Sequence, residues 1–422
     1  MIDLMITHAT LVTCASNHPK RGAAMRDVGL IEDGAVAIEN GLIVDVGTTD
    51  VLLRRYELLA SFDVLDVNGK VVCPGFVDAH THVVYAGDRA SEFEMRIQGK
   101  SYMEIMAAGG GILSTMQQVR QASIEGLVRQ THPRLNEMLA HGTTTAEIKT
   151  GYGLNLASEI EMLFAIALLD QLHPMTLIPT FLGAHAIPPE YTDRAEEYTQ
   201  HVIETMIPAA AKWYSDSHFA TEEIPFFIDV FCEKNAFTVD QAQRVLQAGI
   251  DHGMQVKAHV DEFVNLGGAK MAVDLGAVSI DHLDVTSAKE IEHLAHSNTV
   301  SVVIPAVNFN FGSTDFADAR GMIDAGAALA LATDYNPGSA PCPSMQLVMA
   351  IACRYQHILP SEALNASTIN AAYAVGMGDR IGSIETGKQA DLLVLNAPDY
   401  RHLAYHFGGN LVEKVIKNGK IL

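Results

Sequence analysis

Positive charge is scarce in this chain. Lysine and arginine number 28 against 50 aspartate and glutamate, for a formal net charge of −22 at pH 7. A surface of that sign repels phosphate backbones, so nucleic acid is not an expected partner. An anionic substrate would need local cations of its own in the site. Cysteine is sparse too. Cys14, Cys73, Cys232, Cys342 and Cys353 are odd in number and form no CxxC pair, which reads as reduced thiols in a cytoplasmic protein. No apolar run reaches the roughly 20 residues of a membrane span. The start, Met1-Ile2-Asp3-Leu4-Met5-Ile6, has no basic stretch ahead of an apolar one. Neither a membrane partner nor a signal peptide is therefore expected. What remains is 422 residues, 48% apolar and only 18% charged, a composition that argues against disorder and suits a large packed core.

Turn signals and short apolar runs organise the chain. Near the start, Leu11-Val12-Thr13, Ala35-Val36-Ala37-Ile38 and Leu42-Ile43-Val44-Asp45-Val46 are strand-like, with Asp33-Gly34 and Asn40-Gly41 as hairpin signals between them. Near the end, Asp391-Leu392-Leu393-Val394-Leu395 and Val415-Ile416-Lys417 lead to Asn418-Gly419. Both ends are expected to form one small β-sandwich domain, residues 1–70 with 381–422. Between them, strand-like runs at 71–78, 144–149, 176–181, 226–231, 255–259, 278–282, 300–304 and 328–334 alternate with helical stretches such as 158–171 and 240–252. Eight such repeats predict an α/β fold, a (β/α)8 TIM barrel over residues 71–380. A doubly wound open sheet is the alternative. It fits less well, because polar and titratable residues gather at the ends of many strands: His80 and His82, Lys149, His185, Glu233, His259, His282 and Asp334. In a barrel those ends converge on one mouth, whereas an open sheet spreads them along an edge.

His80-Thr81-His82 places two imidazoles on the same side of an extended segment, so both can reach one ion. His259, His282 and Asp334 end later strands and can converge on the same point. Such nitrogen and oxygen donors suit zinc, iron or manganese. Lys149, in Glu147-Ile148-Lys149-Thr150, reads as a buried, ion-paired lysine.

The run Pro74-Gly75-Phe76-Val77-Asp78-Ala79-His80-Thr81-His82 resembles the first-strand motif of the amidohydrolase superfamily. The order HxH, His, His, Asp along the barrel matches that superfamily. The run Gly387-Lys388-Gln389-Ala390-Asp391 resembles the segment with which these enzymes re-enter their small sheet domain. The resemblance covers essentially the whole chain. It implies metal bound by His80, His82, His259 and Asp334, and catalytic roles for Glu262, His282 and Asp334 close to the activated water. Two-metal members carry a bridging lysine at the fourth strand. Here that strand ends in Phe231-Cys232-Glu233-Lys234, so one ion, zinc or iron, is expected. A homodimer is implied as well.

Narrower stretches bear on the substrate. They include Ala86-Gly87-Asp88-Arg89, Ser101-Tyr102, Gly109-Gly110-Gly111, Thr150-Gly151-Tyr152-Gly153, Gly183-Ala184-His185, His259-Val260-Asp261-Glu262 and Asp334-Tyr335-Asn336-Pro337-Gly338-Ser339. Together they look like the branch of the superfamily that opens an imidazolone ring bearing a propionate. Position by position, this implies substrate contacts from Arg89, Tyr152, His185, Glu262, Asn336, Gly338 and Ser339. Arginine suits a carboxylate because it can form two parallel hydrogen bonds. The alternative for Arg89 is an ion pair with Asp88 or Glu92, and for Tyr152 a packed aromatic. His185 can donate to a carbonyl. The glycine run lacks GxxxxGK[ST] and is no phosphate loop. It reads as a flexible loop or helix break near the mouth, with a lid as one possibility. Two other readings are a deaminase of guanine, cytosine or a related heterocycle, which shares the ligands, and a non-catalytic barrel scaffold.

Overall fold

The computed structural model describes residues 2–57, 62–100, 104 and 110–422. Eight parallel strands form the barrel: β1 (Phe76–Asp78), β2 (Thr143–Lys149), β3 (Thr176–Ala184), β4 (Phe227–Cys232), β5 (His259–Val260), β6 (Ser279–His282), β7 (Val300–Val303) and β8 (Ala328–Leu331). Each pairs with the next in sequence order. The ring closes just beyond the strand ends, where Thr81 bridges Tyr335. There the Asp334 amide donates to the His80 carbonyl at 3.0 Å, and the His82 amide to the Tyr335 carbonyl at 3.0 Å. The Asp78 carboxylate joins β1 to the far side of the seam by accepting from the Thr333 amide (3.0 Å) and hydroxyl (2.6 Å).

The strands are rich in β-branched and apolar residues, and β2 is buried at all seven positions. Helices begin where short polar side chains can satisfy free amides. Asn155 caps Leu156–Leu172 by accepting from the Ser158 amide, and Thr238 with Gln241 forms a capping box on Val239–Asp251. The latter helix buries Ala242, Val245, Leu246 and Gly249, a single stripe at helical spacing.

The chain termini meet in a second sheet. Leu4–Val12 pairs antiparallel with Leu30–Glu39 and parallel with both Asp63–Asp66 and Val71–Pro74. Val71–Pro74 in turn pairs with Leu392–Leu395, which leads to Val412–Lys417 and Lys420–Ile421. Two expectations change here. The run from 71 to 78 is two strands, so the domain boundary falls at Gly75 and not after residue 70. Gly75 bonds back to Asp391 (amide to carbonyl, 2.9 Å), and the chain crosses there from one sheet to the other. Asp33-Gly34 lies inside Leu30–Glu39, where the pairing register shifts, and makes no hairpin turn. The small β-domain expected from the two chain ends is present: its eight strands form one sheet, curled so that Ile6 and Ile38 from one end share a core with Leu392 and Ile416 from the other.

Candidate active site

His80 and His82 leave β1, His259 lies in β5, His282 ends β6, and Asp334 follows β8. Their donor atoms meet at the C-terminal mouth of the barrel. His80 Nε2 lies 3.5 Å and His82 Nε2 3.6 Å from Asp334 Oδ1, and His82 Nε2 is 3.2 Å from His259 Nε2. Four ligands held tetrahedrally at about 2.1 Å would stand roughly 3.4 Å apart. The spacing therefore fits one small cation. The chemistry fits as well. His80 Nε2 and Asp334 Oδ1 are buried without hydrogen-bond partners. Burial pushes the Asp334 carboxyl up to about 8 and holds His80 and His82 well below the usual imidazole range. The neutral imidazoles of His80 and His82 beside a carboxylate that is costly to ionise are a donor set that a bound cation would satisfy.

A second layer of carboxylates aims these ligands. His80 Nδ1–H donates to Asp281 Oδ2 at 2.7 Å, which turns the Nε2 lone pair inward. His259 Nδ1 stands 3.0 Å from Asp229 Oδ2. Both aspartates share Lys149, whose Nζ is 2.7 Å from Asp229, 2.8 Å from Glu147 and 3.4 Å from Asp281. Lys149 is thus a buried, ion-paired residue. Asp229 and Asp281 were not singled out from the sequence. The available signal was a charged residue in the interior of a buried strand, which demands a partner.

Two of the strand-end residues carry backbone strain. His282 has φ +82° and Asp334 φ +50°, left-handed values costing a non-glycine residue about 1–2 kcal/mol. This conformation turns both side chains into the mouth. His282 Nε2 faces Glu262 Oε2 at 3.9 Å. Burial, then the nearby Asp334 charge, raises the Glu262 carboxyl well above its usual range.

The residues expected to touch substrate border the same cluster. The His185 ring stacks on His82, with centroids 4.9 Å apart, and Tyr152 lies 5.7 Å from His82 and 5.6 Å from His185. Tyr152 is presented by a loop that Glu159 organises. That buried carboxylate accepts from the amides of Gly151, Gly153 and Leu154 at 2.9, 2.7 and 2.8 Å. Gly151 has φ +102°, and a Cβ there would meet His185 Nδ1 at 2.9 Å, so only glycine fits. His185 Nδ1–H donates to the Gly151 carbonyl at 3.0 Å. Burial, and then His259, push this imidazole down to about 3. Its remaining nitrogen is therefore an acceptor, and the donor role expected from the sequence is taken up by the backbone.

Arg89 precedes helix Ala90–Ile97. It gives Nε–H and an Nη2–H to Glu92 Oε2 at 2.9 and 2.7 Å, and its Nη1 lies against Gly338, where a Cβ would come within 2.1 Å. The ion pair with Glu92 is thus present, and Nη1 is left toward Gly338. Asn336 is committed to its own loop. Its amide donates to the Asp334 carbonyl and the Ser339 hydroxyl (2.7 Å each) and accepts from the Gly338 and Ser339 amides (2.7 and 2.8 Å). Ser339 Oγ–H donates to Asp334 Oδ2 at 3.3 Å. Both residues thereby shape the ligand loop. Ser101, Tyr102 and Gly109 lie outside the described residues. The Gly111 amide donates to Glu92 Oε1 at 3.0 Å and opens helix Ile112–Gln121.

A barrel that brings four such donors to one point at its mouth is the architecture of a metal-dependent amidohydrolase. Residues 71–422 match the amidohydrolase family, and residues 34–56 match a domain described as the imidazolonepropionase-like composite domain of bacteria. The chain is 56% identical to the imidazolonepropionase of Chloroflexus aggregans over 422 residues, 100% of this chain and 98% of the relative. It is 48% identical to that of Herpetosiphon aurantiacus over 422 residues, 100% and 97% of the two chains. The chain belongs to the imidazolonepropionase family. E. coli guanine deaminase shares its fold, at a TM-score of 0.69 and 16% identity over 100% of this chain and 99% of that one. So does a triazine hydrolase variant, at 0.71 and 15% over 99% and 94%.

Proposed function

We propose that the protein hydrolyses 4-imidazolone-5-propanoate to N-formimidoyl-L-glutamate, the ring-opening step of histidine degradation. The observation that carries this reading is the proximity of a carboxylate-binding guanidinium, Arg89, to the Asp334 loop through Gly338. A zinc or iron ion held by His80, His82, His259 and Asp334 would supply Lewis acidity, making water nucleophilic near neutral pH and polarising the ring carbonyl. Arg89 binds the propionate through Nη1 and fixes the ring over the cluster. Tyr152 closes the apolar side. His185, an acceptor at Nε2, takes a ring N–H.

Glu262 receives a proton from water as its oxygen adds to the ring carbonyl carbon. His282 stabilises the oxyanion. The bond from that carbon to the ring nitrogen then breaks, Glu262 returns the proton to the departing nitrogen, and the carbon becomes the α-carboxylate of the product. The same reading makes the enzyme a cytoplasmic homodimer. Among the described residues no helix is long and apolar enough to cross a membrane.

The test is turnover of freshly generated imidazolone propionate, followed by its ultraviolet absorbance, with metal content measured in parallel. Turnover that stops on chelation and returns with added zinc or iron is expected. No turnover by protein holding one metal per chain would move the substrate to the heterocycles that deaminases use.

A further inference from the structure

Lys149 is wholly buried inside the barrel below the ligand cluster. Burial alone would push its ammonium down, but Asp229, Glu147 and Asp281 outweigh this and hold it above its usual range. Its contacts divide into two kinds. Glu147 touches no metal-binding histidine. Its carboxylate bonds to Lys149, to the Thr180 hydroxyl and to the Thr81 amide. Asp229 and Asp281 each carry one histidine of the cluster, His259 at 3.0 Å and His80 at 2.7 Å.

One ammonium therefore ties together two carboxylate–histidine pairs that arrive on different strands: Asp229 on β4 with His259 on β5, and Asp281 on β6 with His80 after β1. A second buried lysine, Lys257, backs the Asp281 side. It donates to the Ser279 hydroxyl at 2.6 Å, which donates to Asp281 Oδ1 at 2.9 Å.

We infer that Lys149 is a positioning residue for the metal: by bonding Asp229 and Asp281 together it sets the orientation of His259 and His80 jointly, and so sets the affinity of the site. This rests on the one-metal reading above. A lysine that merely balanced buried charge would behave differently, and Glu147 allows the two cases to be separated. Lys149→Met leaves three carboxylates around an empty centre. Lys149→Met with Glu147→Gln removes one charge of each sign, so the net charge of the cluster is that of the original protein, but Asp229 and Asp281 still lack their common donor.

The measurement is zinc affinity of the purified full chain, by competition with a chromophoric chelator. It is paired with the visible spectrum of the cobalt-loaded protein, which reports ligand geometry. Outer partners of metal-bound histidines typically contribute about 10–100-fold in affinity. Zinc binding weakened by that order in the double variant, with an altered cobalt spectrum and an unchanged circular dichroism spectrum, is the expected result. Affinity restored to that of the original protein in the double variant would make Lys149 a charge-balancing residue only and overturn the inference. An unmutated chain that takes up no zinc would instead defeat the one-metal reading itself. If Lys149→Met alone fails to fold, the charge-balanced variant still decides the matter.

Discussion

Gly338→Ala offers a clean separation of substrate recognition from folding. The backbone at 338 is not in the left-handed region, so alanine is conformationally acceptable there. The added Cβ would stand 2.1 Å from Arg89 Nη1 and 2.6 Å from its Cζ, whereas ordinary contact begins at 3.4 Å. The guanidinium must retreat by about 1.3 Å to relieve this overlap. Because the obstructing atoms are the end of a long side chain, the fold absorbs the change, and unfolding free energy should move by about 0.5 kcal/mol or less. The displaced arginine then loses at least one charge-assisted hydrogen bond to the propionate, worth about 1.5–3 kcal/mol. That corresponds to a fall in kcat/KM of roughly 10- to 150-fold, mostly in KM. Steady-state kinetics on imidazolone propionate give the number. A control substrate bearing an ethyl group in place of the propionate should be turned over equally poorly by both proteins. Full kcat/KM on the natural substrate, with the variant folded, would refute the placement of the propionate against Arg89.

Two further substitutions probe other parts of the site. Glu262→Gln should lower kcat by about 10²–10⁴-fold with metal content unchanged, and near-normal kcat would exclude Glu262 as the proton carrier. Glu159→Gln replaces an acceptor of three loop amides by a group that can accept at only one oxygen. It should cost roughly 1–3 kcal/mol in denaturant unfolding and raise KM through Tyr152, and an unchanged KM would mean that the loop does not position that ring.

The barrel was readable because its strands are apolar runs punctuated by turn residues, and because titratable groups recur at their ends. His80, His82, His259 and Asp334 stood out for the latter reason, and the structure gathers them with His282 into two triads that share His80: His80–His82–His259 and His80–His282–Asp334. Other features depend on distance in space and leave little trace in local pattern. Val71 to Asp78 looks like one buried strand, and only the partners Leu392–Leu395 and Thr143–Lys149 reveal that it serves two sheets. Asp33-Gly34 carries turn chemistry but is used to shift a strand's register. Asn336 and His185 have donors and acceptors that suit a substrate, yet backbone groups nearby claim most of them. Asp229 and Asp281 were hidden because an isolated aspartate in a strand says nothing about which histidine it will meet.

The crossing at Gly75 also has a temporal side. Val71–Pro74 is an interior strand of the terminal sheet, but its partner Leu392–Leu395 is synthesised about 320 residues later. At roughly 5–20 residues per second, one edge of that strand waits some 15–60 s for its neighbour. Through that interval it presents an unpaired, apolar edge, the kind of surface on which chains aggregate. β1, joined to it through a single residue, does not wait as long: its partners in β2 and at the Thr333–Tyr335 seam all precede residue 392. Loss of the segment after residue 390 should harm solubility before it harms anything at the catalytic mouth.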